Sequence, residues 1–251
     1  MLKAIGSLSA RFTAAVNTVQ ASIMRCARAL YALYNPAPQI RLTARFNHMA
    51  EGLEPAAAPS PANTISEESS LRLFDYFTAL SYMAYNYIPD GCYARAHLMC
   101  KEIQELSNNK LTPYKIWGNG LTDENKLTVN AGETRLADWY FHVAAALNVR
   151  MDNGETKIMV FDPSLFDGPA EVDEWQNTLN AEASQILLSP FGEDSPLGSK
   201  NGFYLDKESE PPADPDRYSL KILRHYKRSE PSSPPLKFTA QLRQKQASVS
   251  A

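Results

Sequence analysis

Cys92 lies where a helix is predicted to begin, and this position favours a reactive thiol. Asp90 and Gly91 are typical of a turn or a helix start, and apolar residues then recur at helical spacing, with no glycine or proline before Pro113. The free N–H groups of a first helical turn carry a partial positive charge, which stabilises a thiolate over a thiol. Considered alone, such a cysteine is more often an inert core residue. The residues downstream decide between these interpretations.

His142 and Asp162 supply the two further groups that a cysteine hydrolase needs, a proton-exchanging base and a group that orients it. His142 lies inside an apolar run, where an unpaired imidazole would be costly, and Asp162 ends the next apolar run. The pair Asn153-Gly154 between the runs predicts a hairpin. The hairpin places His142 and Asp162 roughly opposite each other on antiparallel strands. The carboxylate could then hold the imidazole Nδ1–H and leave Nε2 facing Cys92.

Each of these residues also has a purely structural interpretation. His142 could be a hydrogen-bonded core histidine, and Asp162 could belong to a simple Asp-Pro turn. The catalytic hypothesis depends on the coincidence of three groups in one layout. His97 is the rival base, but it follows Cys92 by five residues on the same helix. This spacing is about 140° around the axis, so His97 should point elsewhere.

The composition limits the classes of function. The 251 residues are 44% hydrophobic and 21% charged, which is typical of a soluble globular protein with one full-sized domain plus extensions, or two small domains. A net charge of −3 does not indicate a nucleic-acid partner. No Cys or His pair has metal-ligand spacing and no glycine loop indicates a phosphate site, so we expect neither a metal nor another cofactor. The three cysteines form no disulfide framework.

Residues 1–50 differ from the rest, since they contain six basic residues and no Asp or Glu. Apolar residues step by three or four over about residues 2–34, which predicts a basic amphipathic helix. Three interpretations stay open for this helix. It could pack on the chain's own catalytic domain, lie on a membrane surface, or act as a leader or pro-region that contacts secretion machinery.

Downstream of this segment, the composition divides the chain into three parts. Residues 51–63 form a Pro/Ala-rich linker, and residues 64–228 form the predicted catalytic domain. Residues 229–251 are rich in Ser, Pro, Gln and Lys, which predicts a disordered tail. No uninterrupted apolar run has the length of a signal peptide or a membrane span.

The predicted domain is α+β, because its periodicity changes from helical to strand-like after the second helix. A capping-box pattern at Thr64–Glu67 starts the first helix. The predicted elements are a helix that follows the Thr64 cap and runs to about residue 85, a helix from Cys92, a strand over 114–117, antiparallel strands over 139–149 and 157–161, a helix over about 173–183, a strand over 201–205 and a short basic helix over 218–227.

Five short blocks within about residues 85–185 are informative through their order. The blocks are Asp90-Gly91-Cys92-Tyr93-Ala94-Arg95-Ala96, Lys115-Ile116-Trp117, Trp139-Tyr140-Phe141-His142-Val143-Ala144, Val160-Phe161-Asp162-Pro163-Ser164-Leu165-Phe166, and Trp175. Each block is weak alone, but together, in this order and with these gaps, they resemble the bacterial protein-glutaminase family.

The resemblance implies a papain/transglutaminase-like core, with a catalytic cysteine at a helix N-terminus packed on an antiparallel sheet that bears the histidine and the aspartate. It implies hydrolysis of glutamine side chains in proteins to glutamate, with release of ammonia, and therefore a protein partner with an exposed glutamine. Matched by motif, Cys92 would be the nucleophile that forms a thioester. His142 would be the general base and acid, and Asp162 the carboxylate that orients it.

Other functions could use the same residues. A transglutaminase-like acyl transferase or a cysteine protease needs the same trio, and a non-catalytic binding module could act through the basic N-terminal helix. Secreted glutaminases of this kind usually carry a signal peptide and a longer pro-region. This sequence has no predicted signal peptide and in that respect resembles effector toxins with related cores. We therefore expect a protein secreted or delivered into host cells without a conventional signal peptide, or otherwise a cytoplasmic one.

Overall fold

The computed structural model describes residues 63–120, 122–131 and 134–231. The predicted helix within residues 1–50, nearly all of the linker over 51–63 and most of the tail over 229–251 lie outside those residues, so the statements about them stay predictions. Among the described residues, no helix has both the length and the apolar character needed to cross a membrane.

The described elements are two helices preceded by a short strand, then a run of six strands, and then a helix, a strand and a last helix. They are β1 (Thr64–Ser66), α1 (Glu67–Ala79), α2 (Cys92–Leu106), β2 (Tyr114–Asn119), β3 (Leu127–Ala131), β4 (Thr134–Trp139), β5 (Phe141–Arg150), β6 (Thr156–Phe161), β7 (Ala170–Glu171), α3 (Val172–Thr178), β8 (Ile186–Pro190) and α4 (Pro215–Arg228), with single 3₁₀ turns at Ala183–Gln185 and Lys200–Gly202.

Strand β5 is the centre of an antiparallel sheet with the order β7-β6-β5-β2-β8. The short strand β1 pairs in parallel with the end of β5, and β3 and β4 form a separate ladder. Residues 143–147 of β5 are at most 2% exposed. A strand covered on both faces needs no polar alternation, which explains the continuous apolar run in the sequence. The predicted antiparallel pairing of β5 with β6 is confirmed.

Helix α2 packs against β5 and α4 and is buried on nearly every side. Its polar residues therefore need partners inside the protein. Glu102 is the clearest case, because its two carboxylate oxygens accept hydrogen bonds from the hydroxyls of Tyr76 (2.6 Å) and Tyr82 (2.7 Å). These bonds connect α2 to α1 and to the loop that follows α1.

Four predicted elements differ from the structure. Helix α1 has Ser66 as its N-cap, where the capping-box pattern predicted Thr64, and it ends at Ala79 instead of about residue 85, because Leu80 is extended. The helix predicted over about 173–183 ends at Thr178, two residues before Asn180 with its positive φ of 50°. The predicted 139–149 strand is divided, with Trp139 ending β4 and Phe141 starting β5. The predicted strand over 201–205 is wrong, since a 3₁₀ turn occupies Lys200–Gly202. Phe203 and Leu205 of that segment are buried, so the apolar pattern reflected burial and not an extended backbone.

Candidate active site

Arg95 holds the loop that leads into Cys92. Cys92 is the first residue of α2, and Arg95 lies one turn later with only 4% of its surface exposed. Its Nη1 donates hydrogen bonds to the carbonyls of Ala84 (2.9 Å), Tyr87 (3.2 Å) and Asp90 (3.2 Å). Loop carbonyls that are buried without a hydrogen-bond partner are costly. One guanidinium provides a donor to three of them and thereby fixes the backbone before the nucleophile candidate.

Asp90 and α4 brace the same loop from the other side. The Asp90 carboxylate accepts hydrogen bonds from its neighbour Gly91 N (2.6 Å) and from the hydroxyl of Tyr226 (2.5 Å). The Tyr226 ring stacks on Tyr87, with centroids 4.2 Å apart. Gly91 has φ +90°, and a Cβ at this position would lie 2.9 Å from Tyr226. The start of α2 therefore requires glycine for its backbone conformation and for space.

His142 and Asp162 form a buried pair, with 2.7 Å between His142 Nε2 and Asp162 Oδ2. They are 2% and 4% exposed, respectively. The predicted opposite placement is wrong in register. The β5–β6 ladder ends at Ala145↔Phe161, so extending it would set Ser164 opposite His142. Asp162 reaches the imidazole as a diagonal neighbour from the turn that follows β6.

The ring nitrogens also differ from the prediction. Asp162 pairs with Nε2 of His142, whereas the sequence analysis assigned Nδ1 to the carboxylate. Nδ1 is therefore the nitrogen left for Cys92, which lies within hydrogen-bonding reach of the imidazole. The structure thus brings all three predicted residues together, with the two ring nitrogens exchanged.

The electrostatics of the trio favour an imidazolium. Burial works against charge on His142, but the Asp162 carboxylate and Cys92 outweigh it, so the pKa of His142 is raised. Burial also opposes the charge of Asp162. The contact with His142 and the hydrogen bonds from Ser164 and Trp175 outweigh that effect and lower the pKa of Asp162. The pair is therefore held as carboxylate and imidazolium near neutral pH.

Two tryptophans enclose the imidazole. The His142 ring stacks with Trp139 at 4.6 Å between centroids and with Trp175 at 5.9 Å. Each indole N–H also has a positioning contact. Trp175 Nε1 donates to Asp162 Oδ2 (3.0 Å), and Trp139 Nε1 donates to the carbonyl of Ile88 (3.1 Å). The rings exclude water from the pair, and the N–H groups fix the carboxylate and the loop.

Sequence reasoning gave no role to Trp139, Trp175 or Ser164, which appeared only inside the resembling blocks. Ser164 donates to Asp162 Oδ1 from its backbone N–H (3.3 Å) and from its hydroxyl at shorter distance. The Asp-Pro sequence is a usable signal for the backbone contact, because an Asp side chain commonly accepts a hydrogen bond from the backbone N–H two residues on. The tryptophans had no local signal, since their contacts join distant parts of the chain.

His97, the rival base, points away as predicted. Its Nε2 lies 2.6 Å from Asp216 Oδ1 on α4, and its ring packs against Phe191 and Phe203. Burial lowers the pKa of His97, despite the opposing contact with Asp216. This residue joins α2 to α4 and takes no part in the trio.

Lys115 is a second feature that sequence reasoning passed over. This residue is 1% exposed, and its Nζ donates to the carbonyl of Gly202 (2.7 Å) and lies over the rings of Trp117 and Phe203. Burial lowers the pKa of Lys115 to about 8. Burial also raises the pKa of the neighbouring Cys100 thiol, which donates to the carbonyl of Tyr114. Cys100 is therefore a protonated core cysteine.

An open groove of about 540 Å³ is lined by Trp139, whose ring stacks on His142; we call it the Trp139 groove. It is lined by residues 86–89 of the loop before α2, by residues 137–139 and by Ser229 and Pro231. Cys92 itself is only 7% exposed.

No group of three metal-ligating side chains occurs among the residues that the structure describes.

Comparisons with known proteins concern the family and the fold. A family model described as glutaminase matches residues 70–179. The NMR structure of protein-glutaminase from Chryseobacterium proteolyticum has a TM-score of 0.50 and 23% identity, over 72% of this chain and 98% of that one. A mutant of pro-protein-glutaminase has a TM-score of 0.42 and 25% identity over 55% of this chain. The match spans 51% of that pro-protein. No curated protein is similar enough to count as a match.

The fold is therefore mixed helix and antiparallel sheet, and it is similar to that of the solved protein-glutaminase. The chain is similar to the glutaminase family over residues 70–179, which is less than half of its length.

Proposed function

We propose that this protein deamidates glutamine side chains in proteins through Cys92, His142 and Asp162. The observation that carries the proposal is the contact of His142 with both other groups inside a closed, aromatic site. A cysteine hydrolase needs three parts. They are a thiol at a helix start, a histidine within reach of it and a buried carboxylate on the other ring nitrogen.

In the proposed reaction, the Cys92 thiolate attacks Cδ of the glutamine. His142 donates its proton to the departing nitrogen, the Cδ–N bond breaks, and ammonia leaves a thioester on Cys92. His142 then removes a proton from water, which attacks the thioester and releases glutamate and the thiol. Asp162 stabilises the imidazolium in both steps and holds the ring so that Nδ1 faces Cys92.

Backbone N–H groups at the start of α2 would stabilise the oxyanion. The first hydrogen bond of the helix runs from Arg95 N to Gly91 O (2.9 Å). The N–H groups of residues 92–94 therefore have no partner within the helix. Donors held in place before the reaction are worth about 3–4 kcal/mol for an oxyanion in a site of this kind. The Arg95 and Asp90 contacts keep these donors in place.

The burial of the trio favours a side-chain amide over a peptide bond. Cys92 is 7% exposed and His142 2%, so only a narrow group can reach the thiol. The glutamine amide lies at the end of a flexible three-carbon chain, whereas a peptide carbonyl is surrounded by its own backbone. This argument supports a deamidase over the protease alternative.

The test compares Cys92→Ala with the matched control Cys100→Ala, because both cysteines lie on α2 and both are buried. The substrate is reduced, carboxymethylated ribonuclease A, and the readouts are ammonia release and peptide mass. We expect Cys92→Ala to abolish ammonia release and Cys100→Ala to retain it. Ammonia release by Cys92→Ala at the wild-type rate would disprove the proposal. Chain cleavage would instead identify a protease, and amine incorporation with a small primary amine present would identify an acyl transferase.

A further inference from the structure

The Trp139 groove is built from the same segments as the proposed active site. One wall is the loop before α2, with Tyr87 and Ile88, and it ends at the nucleophile candidate. The other wall includes Trp139, whose ring lies 4.6 Å from the His142 ring. A polypeptide in this groove would therefore contact Trp139, the ring that stacks on His142.

The chain itself enters this groove after α4. Glu230 turns back on the loop, and its Oε1 accepts a hydrogen bond from Asn86 N at 2.8 Å. Its side chain is 9% exposed and also pairs with Lys227 at 2.7 Å. Ser229 and Pro231 then form part of the groove lining. The last described residue, Pro231, therefore lies in the groove lining.

The sequence beyond Pro231 is chemically matched to the groove. It starts Ser-Ser-Pro-Pro-Leu-Lys-Phe over residues 232–238. Proline-rich segments of this kind dock in grooves lined by tryptophan and tyrosine, because their extended form loses little entropy on binding. Residues 232–251 contain the basic residues Lys237, Arg243 and Lys245 and no Asp or Glu, while the groove contributes the exposed carboxylate of Asp138.

The same stretch carries the residue type on which a glutaminase acts, at Gln241, Gln244 and Gln246. Gln241 follows Pro231 by ten positions, and an extended proline-rich chain spans about 3 Å per residue, so this tether reaches up to about 30 Å. The tether also gives the tail an effective concentration in the range of about 1 mM, so no diffusion step is required.

We propose that residues 232–238 pack in the Trp139 groove and present Gln241, Gln244 and Gln246 to Cys92, so that the protein deamidates its own tail. This inference rests on the proposed function. Each event consumes one water, replaces the Cδ–N bond by a Cδ–O bond and releases one ammonia. Three events would add three carboxylates to a tail with three basic residues, so its side-chain charge would fall from +3 to zero. The modified tail would lose its attraction to Asp138 and leave the groove.

The first experiment examines the full-length protein as purified from a host that lacks it. Tandem mass spectrometry over residues 232–251 is applied to the wild type and to Cys92→Ala, alongside ammonia release from carboxymethylated ribonuclease A. We expect glutamate at one or more of the three positions in the wild type, and glutamine at all three in Cys92→Ala.

The outcomes separate the inference from the proposed function. Glutamine at all three positions in a wild type that deamidates ribonuclease A would overturn self-deamidation and leave the proposed function intact. Glutamate at the same positions in Cys92→Ala would also overturn it, because the change would not depend on the enzyme. A wild type inactive on both substrates would overturn the proposed function and this inference with it.

A second experiment tests the groove. A synthetic peptide of residues 230–251 is compared, as a substrate added to the wild type, with a peptide in which Pro234, Pro235 and Phe238 are replaced by serine. We expect kcat/KM for the native peptide to be about tenfold higher than for the serine peptide. This ratio corresponds to a loss of about 1.4 kcal/mol of binding free energy by the serine peptide. Equal kcat/KM values for the two peptides would overturn docking in the groove.

Discussion

The domain contains two histidine–aspartate pairs whose lengths are nearly equal and whose surroundings differ. The His142–Asp162 contact is 2.7 Å and the His97–Asp216 contact is 2.6 Å, and each uses Nε2. Yet the pKa of His142 is raised and the pKa of His97 is lowered. A short hydrogen bond to a carboxylate therefore does not by itself make a histidine a base.

The difference originates in the carboxylates and in the neighbouring charges. The Asp162 side chain is 5% exposed, whereas that of Asp216 is 46% exposed and also contacts Lys101 at 3.6 Å. Water and a competing cation weaken the field of Asp216 at the imidazole. His97 also experiences the positive charge of the buried Lys115, while His142 faces the Cys92 thiol.

The largest expected effect separates the two histidines. We expect His142→Gln to lower kcat/KM by about a thousandfold or more, because it removes the general acid and base. His97→Gln should change kcat/KM by less than about threefold, because its role is to join two helices. Ammonia release from carboxymethylated ribonuclease A measures both. Similar losses in the two variants would contradict the assigned roles.

The carboxylates provide the next comparison. Asp162→Asn keeps the shape of the side chain but removes the charge that favours the imidazolium. We expect about a hundredfold lower kcat, with a smaller change in KM. Asp216→Asn should leave kcat near the wild-type value and reduce the midpoint of urea unfolding. An active Asp162→Asn variant would show that the carboxylate is structural.

Trp175→Phe tests a smaller contribution. This change keeps a ring near His142 but removes the N–H donor to Asp162. The loss of one buried hydrogen bond to a charged group costs about 1.5–3 kcal/mol, so kcat should fall by about ten- to a hundredfold. The acid limb of the pH–rate profile should shift to higher pH, because Asp162 is protonated more easily. Trp117→Phe is the matched control, since its Nε1 donates to Ser189 and not to the trio.

The subtlest comparison is the pH dependence of stability. A raised folded-state pKa means that the contribution of His142 is complete below its unfolded pKa of about 6.5 and is lost as the pH rises through the folded value. For His97 the pKa is lowered, so its native state binds fewer protons and stability is lost as the pH falls below about 6.5. Urea unfolding of His142→Gln and His97→Gln against the wild type, between pH 5 and pH 9, should give pH slopes of opposite sign. Slopes of the same sign would show that the two environments do not differ.

The sequence predicted the parts of this site that depend on local pattern. The helix start at Cys92 and the hairpin around Asn153 each follow from neighbouring residues, and they bring Cys92, His142 and Asp162 together. The ring nitrogen of His142 that contacts Asp162 was predicted wrongly. Asp162 lies in the turn after β6 and not opposite His142, and the sequence pattern does not show where the β5–β6 ladder ends. That end is determined by the Asp-Pro turn and by the donors around Asp162. The roles of Trp139 and Trp175 were not predictable because their partners are brought together only by the fold.

The segment over residues 201–205 shows the same limit in the fold. Its apolar residues indicated a strand, but Gly202 has φ +55° and a Cβ there would lie 2.6 Å from the carbonyl oxygen of Glu193. The turn is required because the carbonyl of Gly202 must face Lys115. A buried ammonium on a strand 87 residues earlier therefore determines this local backbone, and no window of sequence contains both residues.

Glu102 and the two tyrosines that bond to it, Tyr76 and Tyr82, provide the protein with an internal optical signal. Burial, and then the contact with Glu102, raise the pKa values of Tyr76 and Tyr82 well above the usual range of a phenol. Burial has the same effect on the pKa of Tyr93, beside the nucleophile candidate. These phenols stay protonated while the domain is folded. When the native protein is titrated with alkali, its tyrosinate absorbance should therefore remain below the value expected for all of its tyrosines. The missing absorbance would then appear in one step at the moment of unfolding, without any added dye.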